Sequence, residues 1–331
     1  MYVYAGIDEA GYGPMFGPLL VTRAVLRIPR ISRADLPGDA PPQLWQRLRR
    51  GVCKTVQGSQ GRVVINDSKK VHTPAAGIRH LERGVLAFAT MGGHRTGDLG
   101  TWLDWLGETG HHALDDLPWY CPDADRPWDA LPAACTPGEI AVARNLLEST
   151  CQRIGVELGD LGAAVVFEDR FNRMVHATRS KASASFTFVA GHLQHIWQHH
   201  GEHHPFVAVD RQSGRSHYRE LLAITFPGAD IRITDESPLC SRYELHHGPR
   251  RMTVSFEVDC DAGHLPTALA SMTAKYTREL LMARFQAWFT AALPQVKPTA
   301  GYAADAQRFW REVEPRIADL DIDPARLVRM A

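Results

Sequence analysis

Short apolar runs alternate with longer amphipathic stretches along most of the chain. Residues 2–7 (YVYAGI) and 19–28 (LLVTRAVLRI) are β-branched and aromatic and bracket a stretch rich in glycine and proline, which predicts two strands joined by a turn. RVVIND at 62–67, AAVVFED at 163–169, FVAVD at 206–210, DIRIT at 230–234 and TVSFEVD at 253–259 read as further strands. Between them, apolar residues recur at helical spacing over 76–90, 139–154, 185–199 and 266–293. In the last of these, Leu281, Phe285, Trp288 and Phe289 share a face, and Pro266 suits a first turn. Strands interleaved with helices predict an α/β fold.

Two regions break the pattern. Residues 29–44 carry four prolines and read as a loop, and residues 92 to about 138 are rich in Gly, Pro, Trp and Asp with little periodicity, as an insertion or functional loop would be. Trp102, Trp105, Trp119 and Trp128 in that region are expected to form a satellite core rather than a binding face. At 331 residues, one core with a large insertion fits as well as two domains.

Composition narrows the class without choosing a partner. The hydrophobic share of 44% and charged share of 22% are those of a globular protein. Thirty-seven basic residues balance thirty-seven acidic ones, so no global field points to nucleic acid, although local segregation could. The six cysteines are scattered without a CxxC pair, which predicts reduced, structural thiols. No apolar run approaches the ~20 residues of a membrane span, and MYVYAGIDEA lacks the features of a signal peptide, so a cytoplasmic location is expected.

The acids change the picture more. Asp8 and Glu9 follow YVYAGI, Asp210 closes PFVAVD, and Asp261 lies just past TVSFEVDC. Strand ends are where distant parts of an α/β chain converge on a crevice, and four carboxylates meeting there would repel unless cations neutralised them. Hard oxygen ligands suit Mg²⁺ or Mn²⁺, and two such ions can activate water and stabilise the leaving oxygen of a phosphodiester. Acids at strand ends are also common as caps and turn formers, so position alone leaves both readings open.

Five segments, in order, carry a resemblance: GIDEAGYGPMFGPLLV at 6–21, NDSKKV at 66–71, VAVDR at 207–211, DAGHLPTALASMTAKYTREL at 261–280, and TAGYAADAQRFW at 299–310. Together they resemble the type 2 ribonucleases H, whose opening pattern is DEAGRGP and whose third catalytic stretch sets an aspartate ten residues before the serine of S-x-x-A-K, as Asp261 stands to Ser271. The resemblance implies a ribonuclease H-like fold: a central mixed β-sheet flanked by helices, with a helical C-terminal part. It implies a catalytic domain at 1–290 with an insertion at about 92–161, and a helical extension at 291–331 that contributes to substrate binding.

By position, the resemblance implies metal-binding catalytic acids at Asp8, Glu9, Asp210 and Asp261, holding two Mg²⁺ or Mn²⁺ ions. Adjacent strand residues face opposite sides, so Glu9 is expected to join Asp8 through a bend supplied by the glycines. Gly11, Tyr12 and Gly13 would bring backbone amides to the sugar and phosphate, Lys69 and Lys275 would hold phosphate oxygens, Ser271 belongs to the same conserved helix pattern, and Tyr302 would stack on the sugar. The implied activity is hydrolysis of the RNA strand of RNA/DNA hybrids, leaving 5′-phosphate and 3′-hydroxyl ends, by a monomer without an organic cofactor.

The chain departs from the family at three places. Tyr12 replaces the arginine of GRG and supplies neither its fixed charge nor its fork of donors, which leaves cleavage at a single embedded ribonucleotide open. Arg211 stands where a glycine is common, and the 92–161 stretch is extra. A nuclease of the same fold with altered substrate, or a non-catalytic nucleic-acid-binding relative, are the rival readings. GHLQHIWQHHGEHH places His192, His195 and His199 at helical spacing, with His200, His203 and His204 following; a solvated helix end is expected there rather than a Zn²⁺ site.

Overall fold

The computed structural model describes residues 1–31, 36, 40–107, 117–212 and 214–330. Parts of the 29–44 loop and of the 92–161 insertion therefore lie outside the described residues. A seven-stranded mixed sheet organises the chain: β1 (Tyr2–Ala10), β2 (Leu19–Ile28), β3 (Glu157–Val166), β4 (Phe206–Asp210), β5 (Asp230–Glu236), β6 (Cys240–His247) and β7 (Arg250–Glu257), in the order β3-β2-β1-β4-β7-β6-β5. β1 runs parallel to β4, and β4 to β7; the outer pairings are antiparallel. The main helices are α1 (Arg79–Met91), α2 (Pro137–Ile154), α3 (Glu168–Thr178), α4 (Lys181–His200), α5 (Leu265–Ala292) and α6 (Ala303–Val313).

The alternation of β1 decides which layer covers which face. Tyr2 and Tyr4 belong to the core shared with α5 and α1, whereas Val3, Ala5 and Ile7 belong to a second core with Phe186, Val189, Leu193 and Ile196 of α4. The central strands are thus buried on both sides, which is why β1 and β4 read as continuous apolar runs. Helix α5 lies close on β1 at Gly6: a Cβ there would sit 2.1 Å from the backbone nitrogen of Thr267, so only glycine allows the approach. The mixed sheet between helical layers, with further helices after α5, is the expected architecture.

Several expected elements differ. The 62–67 strand shrinks to Val63–Val64, paired in parallel with Val52–Cys53. β3 ends at Val166 and α3 begins at Glu168, where one strand was expected over 163–169. β6 went unread because only Ser241, Tyr243 and Leu245 alternate inward among charged neighbours. The tryptophans form no satellite: Trp102 and Trp119 are fully buried in the main core, with Trp102 Nε1 donating to Thr277 Oγ1 at 2.9 Å and Trp119 packing on Phe285 and Phe289 of α5.

Buried Glu82 of α1 fastens the same region. Its carboxylate accepts backbone N–H groups from Ala133 (2.6 Å), Ala134 (2.7 Å) and Cys135 (2.6 Å) and the hydroxyl of Tyr276 (2.9 Å). α2 starts at a Thr136/Glu139 capping box, with Pro137 in its first turn, and ends at Gly155 in the left-handed region. All six cysteines are free, and among the described residues no helix is long and apolar enough to cross a membrane.

Candidate active site

The C-terminal ends of the parallel strands β1 and β4 open on a cleft of about 320 Å³. Asp8, Glu9, Gly11, Tyr12, Gly13, Lys69, Asp210, Asp261, Ser271, Lys275 and Tyr302 all line it. Eleven positions drawn from five segments thus meet in one place. Asp67 and Asp259, which the sequence reading did not single out, line it too. Both flank expected residues, in NDSKK and DCDAG.

The acid pair is brought together differently from the expectation. β1 does not end or bend at Ile7 but continues through Ala10, with Asp8 opposite Thr22 and Glu9 opposite Val21 of β2. The two side chains therefore keep the ordinary alternation. Asp8 turns to the α5 layer, where Ser271 bonds it, and Glu9 turns to the α4 layer, where Glu9 Oε2 accepts from Ser185 Oγ (2.9 Å) and Gln212 Nε2 (2.5 Å). The cleft wraps the end of the strand, so both faces contribute. Gly11 turns the chain only afterwards, at φ +84°.

Asp210 closes β4, and its Oδ1 accepts the backbone N–H of Cys260 at 3.1 Å. Asp261 sits on the one-turn helix Cys260–Gly263 between β7 and α5, after Asp259 in the left-handed region at φ +51°. Ser271 Oγ, on α5, is also hydrogen-bonded to Ser68 Oγ at 3.1 Å, which ties α5 to the Asp67-capped turn that carries Lys69. Ser185 lies far from the four acids in sequence, and Gln212, two residues past Asp210, carries no motif, so neither is marked by a local pattern.

Burial pushes every one of the four carboxyls up, and repulsion from neighbouring acids adds to it for Asp8, Asp210 and Asp261. Asp8 lies well above the ordinary carboxylate range, first through burial and then through the charge of Asp210, with Ser271 holding it back. Glu9 is raised by burial and held down by Ser185, Gln212 and the charge of Arg329. Asp210 is pushed up to about 6 by burial, against the Cys260 N–H that favours its charge, and Asp261 to about 6 by burial and then by Asp67 and Asp210. Among the described residues none of the four forms an ion pair with a lysine or arginine. Hard oxygens, crowded and short of positive charge, are a donor set that fits divalent cations such as Mg²⁺ or Mn²⁺.

The cationic side chains differ in freedom. Lys275 Nζ is paired with Glu279 one turn along α5 at 2.6 Å, whereas Lys69 makes no ion pair among the described residues. Tyr12 is half-buried against the α4-side core, and Tyr302, 42% exposed, stands at the start of α6 with its ring 5.2 Å from the Arg278 guanidinium. A Cβ on Gly11 would meet the Pro18 carbonyl at 2.5 Å, while one on Gly13 would meet nothing within 4 Å. Gly13 therefore leaves open space over the cleft.

Two other clusters gather side chains of metal-ligating type. Glu257, Cys260 and His264 gather their donor atoms behind Asp210, but Tyr4 Oη bonds His264 Nδ1 at 2.5 Å, and Glu257 is shared by His264 (2.9 Å), Ser255 (2.5 Å) and Arg242 (3.4 Å). This is a closed polar network. The histidine run divides: His192 is buried and bonded to Val21 O (2.8 Å) and Arg23 (2.9 Å), His195 pairs with Asp160 (3.0 Å), and His199 stacks on His195 at 4.2 Å. His192 thus departs from the expected solvated helix end, because α4 packs that face on β2.

The chain matches no protein-family model, and no curated protein matches it. Solved structures match over nearly its whole length. They include the RNase HII of the PCNA:RNase HII complex from Archaeoglobus fulgidus, at 17% identity, covering 99% of this chain and 94% of that one with a TM-score of 0.40. The ribonuclease H2 from Pyrococcus horikoshii OT3 matches at 16% identity over 98% and 92%, TM-score 0.41. Bst-RNase HIII in complex with Mn²⁺ matches at 13% over 99% and 66%, TM-score 0.45. The structural neighbours are therefore type 2 ribonucleases H, and at such identities and TM-scores the functional reading rests on the cleft's own residues.

Proposed function

We propose that the protein is a divalent-metal-dependent endonuclease that hydrolyses the RNA strand of RNA/DNA hybrids, leaving 5′-phosphate and 3′-hydroxyl ends. The observation that carries this reading is the meeting of Asp8, Glu9, Asp210 and Asp261 in one cleft with Lys69 and the glycine loop. Bound Mg²⁺ or Mn²⁺ would activate water and neutralise charge at the scissile phosphate. The four carboxylates would hold that charge, Ser185 and Gln212 fixing Glu9, Ser271 fixing Asp8 and the Cys260 N–H fixing Asp210. Lys69 would meet a phosphate oxygen as a point charge. Open space at Gly13 lets backbone approach a ribose, whose 2′-hydroxyl distinguishes RNA from DNA.

A second reading, a nuclease of altered substrate, is favoured at one point: Tyr12 places a half-buried ring where a guanidinium would grip phosphate. Both are tested by offering a uniform hybrid, a duplex with one embedded ribonucleotide, and all-DNA and all-RNA duplexes with Mg²⁺ or Mn²⁺, beside Asp210→Asn. Metal-dependent cutting of hybrid RNA, lost in the variant, is expected. Cutting of DNA alone refutes the first reading, and hybrid cutting that survives in Asp210→Asn refutes the site.

A further inference from the structure

Two buried guanidiniums lie beneath the loop that follows the acid pair. Arg278 of α5 donates to the carbonyls of Phe16 (2.9 Å) and Pro18 (3.3 Å). Arg329, only 3% exposed, follows the short helix Pro324–Leu327; its Nη2 donates to Tyr12 O at 3.0 Å, and its Nη1 to Gly11 O. Its own backbone N–H donates to Met15 O at 2.9 Å, and its guanidinium lies 4.0 Å from the Phe171 ring centre. Asn172 of α3 fixes the segment by donating to Ala325 O (2.8 Å) and Val328 O (2.7 Å) and accepting the N–H of Met330 (2.7 Å).

Planar trans peptides turn this grip into a statement about the cleft. In each peptide the C=O and the following N–H point in opposite directions, so anchoring the carbonyls of Gly11 and Tyr12 beneath the loop turns the N–H groups of Tyr12 and Gly13 away from Arg329. Neither N–H has a hydrogen-bond partner among the described residues, and both residues line the cleft. A cation on the carbonyl side also polarises those peptides, which strengthens the N–H as a donor. Arg278, Glu168 and Gly301 hold residues 15–18 of the loop, whereas among the described residues only Arg329 holds the carbonyls of Gly11 and Tyr12, next to Gly11 at positive φ.

We propose that Arg329 is the positioning residue of the cleft: from the far end of the sequence it aims the Tyr12 and Gly13 amides at a sugar or phosphate oxygen of the bound RNA strand. This rests on the hybrid-cleaving reading above. Arg329 does not itself touch substrate; it acts through the loop, and the Pro324–Met330 segment must be docked for the cleft to be complete.

The test uses the full chain and two readouts. Hybrid cleavage is measured for the parent, Arg329→Lys and Arg329→Ala, the last with and without guanidinium chloride at about 20 mM, and deuterium exchange is followed in the peptide covering 9–18. Two charge-assisted hydrogen bonds predict loop exchange faster by about tenfold to a hundredfold in Arg329→Ala and kcat/KM lower by about a hundredfold. Arg329→Lys is expected to keep part of the rate, and guanidinium to restore at least about tenfold of that lost by Arg329→Ala. An Arg329→Ala protein that cuts at the parent rate overturns the proposal, as does a loss that guanidinium leaves unrescued and that comes with faster exchange throughout the chain.

If Arg329→Ala does not fold, Asn172→Ala, which frees the segment but leaves the loop residues intact, must show the same loop-confined acceleration; unchanged loop exchange overturns the proposal. A parent that cuts no hybrid refutes the function proposed above, and the exchange data then decide the Arg329 grip separately.

Discussion

Replacing Asp210 by asparagine is expected to stabilise the metal-free protein while destroying its activity. Asp210 is held at about 6 in the fold, against about 3.9 for a free aspartate, and at about 1.4 kcal/mol per unit its charge costs the folded state about 2–3 kcal/mol above pH 7. Because the folded carboxyl keeps its proton longer than the unfolded one, the associated stability is full below about pH 4 and is lost as pH rises through about 6. Asparagine removes the charge but retains an oxygen for the Cys260 N–H. Urea unfolding in EDTA should therefore show Asp210→Asn more stable than the parent by about 2 kcal/mol at pH 8, with the gap closing towards pH 4. Added Mg²⁺ should stabilise the parent more than the variant, since ligand binding to the folded state raises its stability. Hybrid cleavage should fall by on the order of 10³ or more. A variant less stable than the parent at pH 8 in EDTA would refute the reasoning, because the site would then be balanced without cations.

Other substitutions probe the supports of the cleft. Glu82→Gln offers one acceptor oxygen where three backbone N–H groups and the Tyr276 hydroxyl now share two, and urea unfolding should show a loss of about 2–4 kcal/mol. Gly6→Ala forces a methyl onto the Thr267 backbone and should cost about 3 kcal/mol or more by the same measurement, with hybrid cleavage lowered because α5 carries Ser271 away from Asp8. Lys69→Ala should lower the dependence of log KM on log salt by about one unit for a hybrid substrate, as expected for one lost phosphate contact; an unchanged slope would remove Lys69 from the binding surface.

The sequence carries the site's donors more plainly than their supports. Acids at strand ends and glycines in a turn are local patterns, and Asp8, Glu9, Asp210 and Asp261 could be named from them together with the order of the five segments. Ser185, Gln212, Glu82 and Arg329 act across 51 or more positions of sequence, from Glu82 to Ala133 at the nearest, so no local pattern marks them. The strands β1, β2 and β4 were legible because both their faces are buried. β6 was not, because its alternation rests on three residues set among polar and charged neighbours. Trp102 and Trp119 looked peripheral because their segment lacks periodicity, yet long-range packing on α5 draws them into the main core.

Asp8 and Glu9 are neighbours in sequence but belong to different layers of the molecule, one bonded towards α5 and the other towards α4. The site is consequently written into the frame of β1. A slip of one residue against β2, harmless to many backbone hydrogen bonds, would exchange the two acids between layers and separate each from the hydroxyl that orients it. Single-residue insertions or deletions in residues 2–7 should be far more damaging to chemistry than substitutions of equal size, and paired changes that restore the frame should recover it.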